Sequence, residues 1–409
     1  MFRAQKVIQV VLILAGAGFL IFVIWFYYQN LRGIGPALEK PPADVTQVIQ
    51  NDSGFKMPAG FSLSVLAKDL PGVRVMIFDK DNNLWLSQTR QGKITKTTLK
   101  NGQVAEQKTI LSGLQNPHGL AFDPENPNIL YLAEETKISK TEITPVGAGP
   151  LQKIIDLPKG GNHFTRTLGF GPDGRLYVSI GSTCNVCRET DPRYASIWSL
   201  KKDGSDFKQL AKGLRNSVFF IWNQKDGKMW ATEMGRDLLG DDIPPDEVNI
   251  IDTQSPTVLN YGWPVCYGGK NIHDTKFDKN TYIRNPCQAP FELPSQIDLP
   301  AHSAPLGLAF VPASSAGRPA NSVWPKEYQN NLIVAFHGSW NRSVPTGYKL
   351  VRLILDNNGN EIVQEDFITG WLTPQGAIGR PVDVIFDTAG NLYVSDDKAG
   401  VIYKVEYKK

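Results

Sequence analysis

Charge of one sign is what this chain lacks most plainly. Its 43 basic and 40 acidic residues leave a formal net charge of +3 among 409 residues, and no lysine or arginine run stands out. A balance of that kind projects no field over the surface, so a nucleic-acid or other polyanionic partner is not expected. Helical periodicity is also missing: beyond the N-terminal segment no run of 12 or more residues is convincingly amphipathic, which disfavours an α/β fold. Cysteine is scarce, at four residues. Cys184 and Cys187 form a CxxC, but Arg188 stands where haem attachment needs histidine, and no βαβ pattern surrounds the pair as in a thiol redox site.

What is present begins with a long apolar run from Val7 to Tyr28, broken only by Gln9. A helix rising about 1.5 Å per residue over that length spans the ~30 Å hydrocarbon core of a bilayer. Arg3 and Lys6 before it and Trp25, Tyr27 and Tyr28 at its end predict a transmembrane signal anchor over 7–28, with residues 1–6 cytoplasmic. A cleaved signal peptide is the alternative, although the run exceeds a usual apolar region of about 7–15 residues and no small-x-small site follows. Residues 29–58, rich in Gly, Pro and polar residues, read as a linker, and 59–409 as one extracytoplasmic domain. An exported domain can oxidise both cysteine pairs, Cys184 with Cys187 and Cys266 with Cys287. A zinc site built from the two pairs is the competing reading, although their separation matches no compact ribbon or finger.

One pattern recurs six times in that domain: a short alternating run, a turn with Asp, Pro, Asn or Gly, and a second alternating run holding an aromatic or a leucine. Anchored on Phe78, Phe122, Phe170, Ile221, Phe310 and Phe386, the copies are spaced by 44, 48, 51, 89 and 76 residues. Periods near 45 predict four-stranded blades of a propeller, and the two long intervals predict insertions, the first beginning at Asp241 after blade four. The expected fold is therefore all-β: a six-bladed β-propeller behind an N-terminal transmembrane helix. A strand from Gly60 to Leu66 and another from Val401 to Val405 are expected to share the last blade, because an open ring would leave bare edges. An irregular pair of β-sandwiches is the competing architecture.

Residues just before each innermost strand gather at one mouth of a propeller. Here they are Arg74, His118, His163 with Arg166, Arg215 with Asn216, His302 and Arg380, to which His337 can be added. Any one histidine before a strand is ordinarily a hydrogen-bonded loop residue. Six blades contributing together point instead to a site, and arginines with few carboxylates suit an anionic ligand. Acidic residues concentrate elsewhere, in Glu233 to Asp237 and Asp241 to Glu247. Such a stretch suits Ca²⁺, held by carbonyls as well as carboxylates, or is a solvated acidic loop.

On these residues the chain resembles a known family. His163 ahead of Leu168 to Gly174, Gly213-Leu214-Arg215-Asn216, Glu233-Met234-Gly235, Asp246-Glu247-Val248-Asn249, Asn260 to Pro264 and Gly379-Arg380-Pro381-Val382-Asp383 resemble the soluble pyrroloquinoline quinone (PQQ) dependent glucose and sorbosone dehydrogenases. The likeness runs from about residue 60 to 408, in family order. It implies that PQQ, a planar quinone with three carboxylates, lies across the mouth, that His163 is the base taking the proton of the sugar C1 hydroxyl, and that Arg215, Asn216 and Arg380 contact the cofactor. It further implies that the carbonyls of Gly235 and Arg236 hold Ca²⁺, with Asp246 and Glu247 in the same loop. Where the glucose enzymes have a lysine, this chain has the segment from His337 to Arg342, so His337 or Arg342 is expected in its place, with Arg74, His118 and His302 completing the mouth. Val382 stands in place of a second arginine, and the chain leans toward the sorbosone and pyranose dehydrogenase branch. The substrate implied is an aldose or sugar aldehyde, with an external quinone or cytochrome as electron acceptor. Two other functions compete: a calcium-dependent lactonase, which needs carboxylates converging on the axis, and a non-catalytic binding propeller displayed on the membrane.

Overall fold

The structure, a computed structural model, describes residues 2–27, 54–313 and 324–408. Phe2–Phe26 is one helix, and its apolar part, Gln5–Phe26, is 22 residues long, enough to cross a membrane. The helix starts before the expected Val7, since Arg3 to Lys6 continue its turns; Tyr28 and most of the expected linker, 28–53, lie outside the described residues.

Six sheets of four or five strands follow, antiparallel but for one strand, one sheet for each predicted copy, and each copy supplies the two innermost strands of its blade. The recurring turn has a physical cause. Asp79 at the end of the first strand of blade one accepts the backbone N–H of Asn83 at 2.8 Å and the indole N–H of Trp85 at 3.0 Å. Asp173 accepts from Tyr177 at 2.8 Å, and Asp387 accepts from Asn391 N–H at 2.8 Å and Tyr393 at 3.1 Å. One carboxylate thus closes the turn and fixes the aromatic of the next strand.

Those aromatics then join neighbouring blades. Trp85 meets Phe122, Tyr131 meets Phe170, Tyr177 meets Trp222, Trp230 meets Phe310 and Tyr393 meets Phe78, all edge-on with centroids 5.0–5.5 Å apart. Each such pair contributes about 0.5–1.5 kcal/mol beyond its burial. Only the junction of blades five and six departs from the pattern: Ile333 occupies the aromatic's place, and Phe386 packs on Trp324 at 5.1 Å. Toward the axis the strands crowd. A Cβ on Gly119 would lie 2.5 Å from Arg166 O, and one on Gly307 would lie 2.6 Å from Asp383 Cα.

The ring closes as expected, with Phe61–Ala67 pairing antiparallel to Val401–Tyr407 as the outer strand of blade six. The fold also reaches back past residue 59: Lys56 bridges to Thr369, and Phe55 packs on Trp371 and Tyr403 with centroids 4.8 and 5.5 Å away. The first insertion is placed differently from the expectation. It lies inside blade four, because the outer strand Ile297–Leu299 pairs with Asp246–Ile251 only after the excursion is complete. On the way, Leu259–Asn260 adds a fifth strand, parallel, to blade three. Both cysteine pairs are disulfides, which removes the zinc alternative.

Candidate active site at the mouth of the ring

A cavity of about 430 Å³ opens over the axis and merges with a second of about 380 Å³; His163, Asn216, His337 and Arg380 border both. His163 sits in the loop before the first strand of blade three. Its Nδ1 lies 3.0 Å from the carbonyl oxygen of Ser182 and 2.9 Å from that residue's hydroxyl, which itself donates to Cys184 O at 2.7 Å. A carbonyl only accepts, so Nδ1 carries the proton and Nε2 is bare. Burial, reinforced by the Arg215 guanidinium, pushes the imidazole down to about 3, leaving it neutral at any physiological pH.

Four arginines border the two cavities, Arg74, Arg90, Arg215 and Arg380, and three of them are held by the residues around the mouth. Arg215 is held by Asn185, by Met234 O at 3.4 Å and by the Asp237 carboxylate at 2.9 Å. Arg380 donates to the carbonyls of His337, at 3.0 Å, and Gly338, and lies over the Tyr348 ring. Arg74 reaches Asp397 at 2.6 Å, and the other oxygen of Asp397 accepts from His337 Nε2 at 2.9 Å. Burial lowers His337 to about 4 despite Asp397, while Asp397, against the effect of its own burial, is held ionised by this ring N–H and by Arg74. Asn216 donates its side-chain amide to Met234 Sδ at 3.4 Å, and its Oδ1 is buried with no hydrogen-bond partner.

His302 borders the larger cavity, donating from Nε2 to Gly240 O at 2.7 Å. Burial alone would lower it, but Asp237 and that carbonyl hold it above its ordinary value. Asp246 also borders the cavity, with one carboxylate oxygen accepting Gly235 N–H and the other Ala304 N–H, both at 2.8 Å.

A sequence model of the TrAA12-like family matches residues 55–408. The chain belongs to the TrAA12-like family. A relative 32% identical over 87% of the chain and 92% of its own length is an uncharacterized protein of Borreliella burgdorferi. A second, 24% identical over 85% of the chain, is the pyrroloquinoline quinone-dependent pyranose dehydrogenase of Coprinopsis cinerea, of whose longer sequence the match spans 54%. Among solved structures the holo PQQ domain of that dehydrogenase superposes with a TM-score of 0.73 at 22% identity, covering 87% of this chain and 98% of the domain. The calcium structure of the family AA12 enzyme of Trichoderma reesei gives 0.72 at 21% identity, over 87% and 97%.

Within this TrAA12-like ring four expected contacts lie elsewhere. His118 is fully buried beneath the mouth against Phe219, with Nδ1 3.3 Å from Thr167 Oγ1, because the loop before blade two turns it into the core. Arg342 borders neither cavity; it donates to Asp241 O at 2.6 Å and Ala301 O at 3.1 Å and pins two loops together. Glu247 faces a separate small cavity, accepting from Gly268 N–H and Asn249, while the Arg236 side chain, of which only the backbone carbonyl was expected at the metal, pairs with Asp274 of the insertion at 2.9 Å. Arg166, placed beside His163 at the mouth, is instead buried, its guanidinium spent on the carbonyls of Pro158, His163 and Thr165. Two residues not singled out in the sequence belong to the site: Asn185, inside the Cys184–Cys187 loop, and Asp397. An acidic residue directly after the second strand of blade six was the available signal for Asp397; a lone loop asparagine offers none.

Proposed function

We propose that this protein is a PQQ-dependent dehydrogenase of aldoses or related sugar aldehydes, held on the extracytoplasmic side of the membrane by its N-terminal helix, with residues 28–53 as tether. The observation that carries the reading is a neutral imidazole, His163, bordering a cavity flanked by Arg74, Arg215 and Arg380. A planar tricarboxylate fits such a cavity: the guanidiniums answer its carboxylates and Asn216 Oδ1 is left for a ligand donor. The names of the dehydrogenases this chain resembles support the same cofactor.

Calcium fits less through side chains than through backbone. Among the described residues, no three Asp, Glu or His side chains converge near Gly235. The ion would be held by the carbonyls of Gly235 and Arg236 beside Asp246, and Glu247 would take no part. The same lack of converging carboxylates removes support for a lactonase.

When bound, PQQ supplies the hydride acceptor, and Ca²⁺ polarises it. His163 Nε2 takes the proton of the C1 hydroxyl as C1 loses its hydride, and the Ser182 carbonyl stabilises the resulting imidazolium through Nδ1–H. Arg215 and Arg380 orient the cofactor and stabilise the charge it gains. To test this, the full chain in detergent is loaded with PQQ and Ca²⁺, and dye reduction is followed over a panel of aldoses and aldehydes. Turnover that His163→Gln lowers at least a hundredfold, with PQQ still bound, is expected; absence of PQQ binding sinks the reading.

A further inference from the structure

A third cavity, of about 530 Å³, opens beside the mouth and shares Ser339, Trp340 and Arg380 with it. Its walls are two loops. One follows the second strand of blade five and carries Trp340, Val344 and Pro345; the other leads into blade six, where Leu372–Thr373 pairs with Gly376–Ala377 around Pro374. Trp340 is 58% exposed, Val344 68% and Leu372 36%, so the groove presents apolar surface to solvent next to the redox centre. Its cations are Arg380 and Lys398, which also border the mouth, and among the described residues no acidic side chain lines it.

Each sugar oxidised leaves two electrons and two protons at the mouth, and no CxxCH is present to hold a haem in the same chain. We propose that the groove binds the ring of a lipid-soluble quinone, of the benzoquinone or naphthoquinone class, and is where the electrons leave. The proposal rests on the dehydrogenase reading above. A flat ring lies against Trp340 and the two prolines, its carbonyl oxygens accept from Lys398 and Arg380, and its apolar tail runs out over Val344 and Leu372. With the N-terminal helix as the anchor proposed above, the domain stays at the bilayer in which these quinones dissolve. Atoms and electrons balance without a further oxidant: the sugar C1–H and O–H become a carbonyl, releasing a hydride and a proton, and the acceptor's two carbonyls become hydroxyls with the same two electrons and two protons.

The groove is tested with Val344→Glu and Leu372→Glu in the full chain in detergent, ubiquinone-1 and menadione serving as probes. Calorimetric titration without sugar is expected to show saturable binding of ubiquinone-1 that each variant weakens at least tenfold. In the loaded enzyme each variant raises the KM for ubiquinone-1 by a similar factor, while reduction of a small water-soluble dye stays unchanged. Variants that leave quinone binding and KM unaltered overturn the proposal. So does a rise in KM for a trisaccharide in place of the quinone, which makes the groove an outer sugar subsite, or transfer to a cytochrome from a chain that binds no quinone. Failure of the wild type to reduce the dye overturns the dehydrogenase reading instead, and the titration still decides the groove.

Discussion

Arg215 donates to Asn185 twice, from Nε to the backbone carbonyl at 2.9 Å and from Nη2 to the side-chain oxygen at 3.0 Å. That oxygen also accepts Asp237 N–H at 2.8 Å, and the Asn185 amide returns a bond to Asp237 O at 3.2 Å. The Cys184–Cys187 disulfide closes the short loop that presents Asn185, so the guanidinium is aimed before any ligand arrives. Replacing Asn185 with alanine removes the aim while keeping the charge. A rise of about tenfold in the PQQ dissociation constant is expected, equivalent to ~1.4 kcal/mol, with turnover at saturation changed far less. Cofactor titration of the variant checks it, and reduction of the disulfide shifts binding in the same direction.

Gly181 is the contact that sets where His163 stands. A Cβ there would lie 2.6 Å from His163 Cβ and 2.8 Å from Asn216 Oδ1, and the first of these atoms is anchored to backbone and cannot swing aside. Gly181→Ala therefore displaces His163, the base proposed above. Turnover is expected to fall by about tenfold to a hundredfold, as for a misplacement on the order of 1 Å, with the far-ultraviolet circular dichroism unchanged.

The architecture was legible because the same side chains that make the repeat visible make the ring. Phe78, Phe122, Phe170, Phe310 and Phe386 serve as anchors in the pattern, and the first four close blade junctions against an aromatic of a neighbouring blade. Ile297–Leu299 has no such partner and is three residues long, so the outer strand of blade four left no trace and the insertion was placed after the blade. Position before an inner strand placed His163, Arg215 and Arg380 at the mouth, yet it could not separate His302 from His118. Which way a loop side chain turns depends on contacts remote in sequence: Gly240 O draws His302 outward, while Thr167 and Phe219 enclose His118. Arg342 lies about a hundred residues from the Asp241 carbonyl that holds it, a distance no local pattern spans.

Phe55 is part of the folded unit. It packs on Trp371 and Tyr403 of the last blade, and Met57 joins the same core, so a chain started at residue 59 loses both. Burial of two such side chains contributes about 3–5 kcal/mol, less what partial exposure removes. The propeller begun at residue 54 is expected to melt several degrees above one begun at 59, in paired thermal scans of the two truncations.

The imidazole of His163 also makes stability depend on pH. Burial, with Arg215, holds its folded-state value down to about 3, whereas in the unfolded chain it titrates near its ordinary value of 6.5. Below about pH 6.5 the unfolded chain therefore binds the extra proton, and stability falls as pH falls. Between pH 7 and pH 5 this one group costs about 2 kcal/mol. Buried Asp383 and Asp396, pushed up to about 7 by burial, act in the opposite sense, since the folded protein takes up their protons first. Those carboxyls are common to wild type and His163→Gln, so the difference between the two proteins isolates the histidine. Urea unfolding of the propeller begun at residue 54 is expected to show the wild type losing about 2 kcal/mol more than His163→Gln from pH 7 to pH 5. Equal losses would mean that His163 takes up its proton over the same pH range folded as unfolded, so that burial and Arg215 do not hold the imidazole neutral at pH 5.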